Sequence, residues 1–378
     1  MTMQYRNIGI FLLACICLCL MMSCSETDAT SSTPNAETVQ GSSMTENATK
    51  SSEGSRGVTT QTTMQAKKSS TTTSKTSVVT TPSSVSTTKV EVNDMRIICW
   101  GDSITAGMGM ESGNTYPSVL QTLVGSDYQV INAGSSGEKA HTIAARQGAL
   151  KTVLSKDITF KAGATTAVLG DKEDNGLMTE DGRLLNLNTD GGSDAFNNGL
   201  PANTVYINGE TYKLTLNNGV FRITRSNETK ELTIAKGTAV EFSSARNQQG
   251  SYCEIFYIGA NDGVGAMLSI IETYKAMIER QGCERYLIVL PHWDGSFDGL
   301  LKSTFGDNVV SFREEACERG WNLADTRTPE DLTMIQQGRV PACLRYLNRA
   351  EELHLNKYGY AFLAQVLYEK GAQLGYWD

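Results

Sequence analysis

Apolar and polar positions change rhythm several times along this chain. From Ile8 to Met22 nearly every residue is apolar. From Ser25 to Asn93 Ser and Thr dominate, with almost no large apolar side chain and no period. Such a stretch cannot bury enough surface to offset its ordering entropy, so it reads as a disordered linker. From Val92 onward short apolar runs alternate with helical patterns. Met95 to Trp100 and Tyr128 to Asn132 read as strands, with helices over Tyr116 to Val124 and Lys139 to Leu150. Later, Cys253 to Ile258 and Tyr286 to Leu290 read as strands on either side of a helix in GVGAMLSIIETYKAMIERQGC. Lys357 to Leu374 reads as a closing helix. Buried parallel strands are continuous apolar runs, and strands alternating with helices imply a parallel sheet covered on both faces.

Between the two halves the period changes from helical to two. VYINGETYKLTLNNGVFRITR and KELTIAKGTAVEFSS alternate apolar and polar side chains, with Asn208-Gly209 and Asn218-Gly219 as hairpin turns. These runs predict a small all-β subdomain inserted at residues 157–250. The halves of the α/β domain are then 94–156 and 251–378, preceded by a linker at 25–93 and a leader at 1–24. No internal repeat is visible.

Composition narrows the classes. A chain of 378 residues with 40% hydrophobic content has room for two domains. A net charge of -8 without any basic cluster argues against a nucleic-acid partner. Nine cysteines divide into four in the leader and five beyond it, Cys99, Cys253, Cys283, Cys317 and Cys343. An odd number excludes a complete disulfide framework, and no C-x-x-C spacing suggests zinc. Cys99 and Cys253 lie in apolar runs and read as buried hydrophobes.

The leader MTMQYRNIGIFLLACICLCLMMSC has one Arg before a short apolar run, a secretory pattern too short for a comfortable membrane span. Its end resembles a bacterial lipoprotein signal, which implies lipidation at Cys24 and attachment to the cell membrane through that lipid. An uncleaved anchor and an ordinary cleaved signal are the alternatives. As a flexible coil the linker spans on the order of 45 Å, enough to hold a domain off a membrane.

Candidate chemistry lies where strands end. IICWGDSITAGMGM sets an apolar strand against a polar turn, and ligands in open α/β sheets gather beyond the carboxyl ends of strands, so Ser103 is placed where chemistry is done. A serine needs a base, and the usual one is a histidine oriented by a third group. There are three histidines. His141 in GEKAHTIAAR reads as a solvated residue early in a helix. His292 in LPHWDGS follows a strand, to line a pocket or cap a loop. His354 in EELHLNKYGY precedes the last helix, whose N-cap is Asn356, and Glu351 lies three residues before it. Oxyanion donors come from backbone amides in glycine turns or from an Asn side chain. INAGSSGE and YIGANDG follow two further strands, which puts Gly137 and Asn261 on the same sheet edge as Ser103.

GDSIT, NAGSSGE, GAND and the late ExxHLN resemble, in order, the four blocks of the SGNH hydrolases, also called the GDSL lipase and esterase family. The resemblance covers most of residues 95–374 apart from the insertion. It implies a three-layer α/β/α sandwich with a parallel sheet, Ser103 as nucleophile and His354 as general base. It also implies an oxyanion hole from the Ser103 amide, the Gly137 amide and the Asn261 side chain, with no metal and no other cofactor. The family has Asp three residues before the histidine, and Glu351 stands there in this chain. Glu352 and Asp294 are alternative carboxylates, while Asp102 and Asp262 read as turn-forming supports. In the bland alternative Ser103 is a turn serine and His354 a helix-start residue of a scaffold without activity.

The expected function is therefore an extracellular, surface-anchored serine esterase that cleaves acyl, above all acetyl, esters through an acyl-serine, with an acylated carbohydrate as substrate. A lipase or lysophospholipase, and an inactive carbohydrate-binding surface protein, are the alternatives. Because all four motif blocks lie outside it, the β insertion is expected to serve substrate selection and not bond cleavage.

Overall fold

A computed structural model describes residues 95–187, 204–226, 230–263, 265–282, 284–324 and 327–377. The leader with Cys24, the linker and Cys283 lie outside the described residues.

The first two strands are β1 (Arg96–Gly101) and β2 (Gln129–Gly134). Nine short strands follow: β3 (Thr152–Leu154), β4 (Ile158–Phe160), β5 (Thr166–Gly170), β6 (Leu177–Thr179), β7 (Thr204–Ile207), β8 (Glu210–Asn217), β9 (Val220–Arg225), β10 (Leu232–Ile234) and β11 (Ala239–Phe242). The chain then returns to the first sheet with β12 (Cys253–Tyr257), β13 (Tyr286–Val289) and β14 (Val309–Val310). That sheet is parallel, with order β14-β13-β12-β1-β2. Its direction of winding reverses between β1 and β12, which is where doubly wound sheets open a crevice at their carboxyl edge.

Alternation along β1 explains the three layers. Ile97 and Cys99 sit in one buried cluster with Tyr116, Leu120, Leu363 and Leu367, from the helices Tyr116–Val124 and Lys357–Gln373. Ile98 and Trp100 sit in another with Ile143, Ile270, Tyr274 and Leu301, from the helices Ala140–Gln147, Met267–Gln281 and Asp298–Phe305. Successive side chains leave a strand on opposite faces, so one apolar run serves both layers. The predicted three-layer α/β/α architecture is the observed one. Helix ends follow local chemistry. Asn356 accepts the amides of Tyr358 and Gly359 to start the last helix. Gly148, with φ +93°, stops the helix Ala140–Gln147 short of the predicted Leu150.

The inserted strands form their own sheet, order β5-β9-β8-β7-β11-β3-β6, beside a β4-β10 pair, around a separate apolar core that includes Phe160, Leu214, Phe221 and Phe242. Both hairpins turn on Asn-Gly with positive φ at each residue: +52° and +83° at 208–209, +50° and +75° at 218–219. This is the two-residue turn whose twist matches the strands. The sheet begins at Thr152, before the predicted boundary at 157, because β3 has only three residues and its period is lost beside the preceding helix.

Candidate active site

The strand-to-helix turn after β1 is built by close packing. Gly101 lets Thr105 fold back: a Cβ there would lie 2.0 Å from Thr105 Oγ1 and 2.6 Å from the Tyr257 carbonyl. At Gly134 on β2, a Cβ would stand 2.2 Å from the Ala106 nitrogen. The short helix Ser103–Ala106 thus lies directly on the strand ends, with Ser103 as its first residue. Asp102 caps it, accepting the Ile104 N–H at 3.0 Å on one oxygen and the Ala260 N–H at 3.3 Å on the other. Asp102 therefore ties the β1 loop to the β12 loop, as a support. It is fully buried, and burial pushes its pKa up to about 7 against the pull of those N–H donors.

Ser103 Oγ lies 2.8 Å from His354 Nε2, and His354 Nδ1 lies 2.8 Å from Oε1 of Glu352. The sequence-predicted partner Glu351 is exposed on a turn and does not make this contact. Local geometry explains the correction. The chain is running into an antiparallel bridge between Leu355 and Arg345, with the Tyr346 N–H donating to the His354 carbonyl at 2.8 Å. In extended chain, residues two apart share a side, so 352 and 354 pair while 351 turns away. The longer glutamate side chain then curls back, and the same oxygen also accepts the N–H groups of Leu353 at 3.0 Å and His354 at 3.2 Å. Burial raises the Glu352 pKa, but the bonds from His354 and Leu353 outweigh it and hold the carboxyl below its usual range. A carboxylate only accepts, so Nδ1 carries the proton and Nε2 is left to accept from Ser103.

Beneath this segment sits a residue whose role the sequence left open. His292 is 1% exposed, and its Nε2 lies 2.9 Å from the Leu353 carbonyl. A carbonyl can only accept, so Nε2–H donates and Nδ1 accepts from the Tyr257 hydroxyl. Burial, with help from nearby Arg345, pushes the His292 pKa down to about 3, which keeps it neutral, and the Leu353 carbonyl fixes this tautomer. Arg345 donates to the Glu352 carbonyl. Three successive carbonyls, at 352, 353 and 354, are thus each held by a separate donor. The motif LPHWDGS placed His292 after a strand, but only the fold brings it under residue 353. Asp294 is exposed and accepts the Ser296 N–H at 2.9 Å, away from this chain of contacts.

Gly137 has φ +77° with open space where a side chain would stand. Among the described residues neither the Ser103 N–H nor the Gly137 N–H has a protein hydrogen-bond partner. Asn261 donates to the Glu138 carbonyl at 3.0 Å, and Asp262 accepts the Ala140 N–H at 2.9 Å, so both residues after β12 are laced to the loop after β2. The same loop is anchored below by the buried pair Glu138–Arg146 at 2.6 Å, with Arg146 also donating to the Ala133 carbonyl. His141, expected at the surface, is half-buried instead, with Nε2 2.9 Å from the Leu184 carbonyl of the insertion. Four cysteines, Cys99, Cys253, Cys317 and Cys343, are free thiols, the first two and Cys343 buried. The arrangement can lower the cost of removing a proton from Ser103, and the loops that carry Gly137 and Asn261 are hydrogen-bonded to each other.

No protein-family profile matches the sequence, and no curated protein matches it. Among solved structures the chain is similar to one described as a "putative lipolytic protein of G-D-S-L family" from Desulfitobacterium hafniense DCB-2, at 12% identity and a TM-score of 0.34, covering 73% of this chain and 99% of that one. It is also similar to a peptidoglycan O-acetylesterase, at 15% identity and a TM-score of 0.26, covering 75% of this chain and 92% of that one. Overlaps this low add nothing to the chemistry, which rests on the distances above.

Proposed function

We propose that the protein is a serine esterase of the SGNH type that hydrolyses short acyl esters. The observation that carries this reading is the continuous run of hydrogen bonds from Ser103 through His354 to Glu352, set beside the Gly137 and Asn261 loops at the crevice of the sheet. Ser103 Oγ attacks the ester carbonyl while His354 Nε2 takes its proton, with Glu352 stabilising the imidazolium. The oxyanion is met by the Ser103 and Gly137 amides and the second N–H of the Asn261 side chain. Collapse breaks the C–O bond, with the proton passing from His354 to the departing alkoxide, and leaves an acyl-serine. Water, deprotonated by the same histidine, then releases the acid and restores Ser103.

The substrate we favour is an acetylated carbohydrate outside the cell, with the enzyme tethered through Cys24 and its long polar linker. The support for this is the sequence pattern of leader, linker and β insertion. A second reading, longer acyl chains, is favoured by the exposed apolar side chains of Met108 and Leu347 on the loops that follow Ser103 and precede His354. The test is hydrolysis of nitrophenyl acetate against nitrophenyl esters of longer chains, with Ser103→Ala as control. Ser103→Ala should abolish turnover and leave Tm within a few degrees of wild type, since one hydroxyl is removed from a turn held by its neighbours. Turnover that survives in Ser103→Ala would place the nucleophile elsewhere, and glycan binding without any turnover would favour a binding protein on a silent scaffold.

A further inference from the structure

A side chain of the insertion reaches the loop after β2. Asn186, which lies between β6 and β7, donates from Nδ2 to the Gly137 carbonyl at 2.7 Å and accepts the Lys139 N–H on Oδ1 at 2.9 Å. The Thr142 hydroxyl donates to the same Oδ1 at 2.6 Å and accepts the Asn186 backbone N–H at 3.0 Å. The Lys139 N–H can only donate and the Gly137 carbonyl can only accept, so the orientation of the amide is fixed by its partners. With the two bonds from the β12 loop, four consecutive positions are secured: the carbonyl of 137 by Asn186, the carbonyl of 138 by Asn261, the N–H of 139 by Asn186, and the N–H of 140 by Asp262.

Glycine has no side chain to restrain its backbone, and Gly137 stands at a positive φ with nothing packed where a Cβ would be. The direction of its N–H is set by what holds the peptides on either side. We propose that Asn186 is a positioning residue that orients the Gly137 amide for the oxyanion, so that the insertion takes part in the rate of bond cleavage as well as in any choice of substrate. This rests on the esterase reading, and it revises the expectation that the insertion serves selection alone. Asn186 does not touch the reacting atoms. It acts through the glycine.

The test is the full chain carrying Asn186→Ala or Asn186→Asp, assayed with nitrophenyl acetate and with a fluorophosphonate, which loses fluoride to leave a tetrahedral phosphorus on Ser103 Oγ whose phosphoryl oxygen mimics the oxyanion. Removing a direct oxyanion donor costs about 10² to 10³ in kcat, so loosening its support should cost about 10-fold or more, with KM within about twofold. Phosphonylation should slow in parallel, and amide hydrogen exchange over residues 137–142 should quicken while Tm holds within a few degrees. Asn186→Asp is isosteric and keeps both acceptor roles, but it loses the bond to Gly137 and sets a carboxylate oxygen against a carbonyl, so it should be at least as slow. It carries the test should the alanine variant not fold. An active wild type alongside variants of equal kcat, or variants that lose kcat only in step with Tm, overturns this role alone. A wild type without turnover whose Ser103 resists the fluorophosphonate overturns the esterase reading, and this role with it.

Discussion

Replacing Glu352 with Gln removes a charge from His354 Nδ1 while keeping the shape of the side chain. In the resting state one oxygen would still accept the backbone N–H groups of Leu353 and His354, so the turn should persist. What is lost is attraction to the imidazolium that forms as Ser103 attacks. With the charges about 4 Å apart, that attraction is worth about 1 kcal/mol in water and about 4 kcal/mol at the effective dielectric of a protein surface. The side chains of His354 and Glu352 are 17% and 26% exposed, so the pair lies between these limits and nearer the second. At about 1.4 kcal/mol per decade the cost is about 10² in kcat, within a range of about 10 to 10³. Glu352→Asp cannot hold its own backbone and reach Nδ1 together, and should also fall. Glu351→Gln, altering an exposed side chain on the turn, should match wild type. Initial rates with nitrophenyl acetate, alongside thermal unfolding, decide the matter. A tenfold loss in Glu351→Gln with activity retained in Glu352→Gln would restore the spacing-based assignment and refute the geometric one.

Two further outcomes follow from packing and burial. Gly134→Ala drives a methyl group to about 2 Å from the backbone of Ala106, so it should lift the Ser103 helix off the sheet, lowering both Tm and turnover where most surface substitutions lower neither. Glu254 is fully buried, and burial pushes its pKa up to about 7 against bonds from Gln147 and Ser251. A carboxyl raised in the folded state contributes stability that is present below its unfolded pKa of about 4 and lost as pH rises through 7, so Glu254→Gln should flatten the decline in Tm between pH 5 and 8. An unchanged slope in that variant would show that the carboxyl titrates normally.

What the sequence showed well was whatever depends on a run of adjacent residues. The strand before Ser103 and those leading to Gly137 and Asn261 were visible because buried parallel strands are unbroken apolar runs, and the Asn-Gly hairpins because only a few residues accept positive φ. What it hid was contact between distant segments and phase within short ones. A spacing of three before His354 suggested Glu351, but local phase in an extended turn decides which carboxylate returns, and that phase comes from pairing with Tyr346, eight residues upstream. His292 is 62 residues before His354 in the chain, and nothing around it marks the carbonyl it meets. β14 has only two residues, too few for any period. Asn186 lies in a turn-rich stretch without pattern, so its partners at 137, 139 and 142 left no trace in the local sequence.

The two loops that would carry charge during acyl transfer are held by different means, and this follows from what each must present. His354 presents a side chain, so its own turn can supply an orienting group, and Glu352 does so within two residues, braced below by Arg345 and His292. Gly137 presents a backbone N–H and has no side chain through which to be held. Its neighbours must be fastened from outside, by Asn261 and Asp262 on one flank and by Asn186 on the other. Local opening in a protein tends to occur where few buried contacts oppose it, and a glycine loop at a sheet edge is such a place. A short connection from the helix Ala140–Gln147 back to β12 would complete the parallel sheet but leave the carbonyl of 137 and the N–H of 139 to water. The inserted sheet supplies both partners from one amide. Leu185 and Leu187, on either side of Asn186, are buried in its separate core with Phe160, Leu214 and Phe221. On the proposed role of Asn186, stability of the insertion and competence of the Gly137 loop would be coupled, although no residue of the insertion belongs to the Ser103, His354 and Glu352 chain.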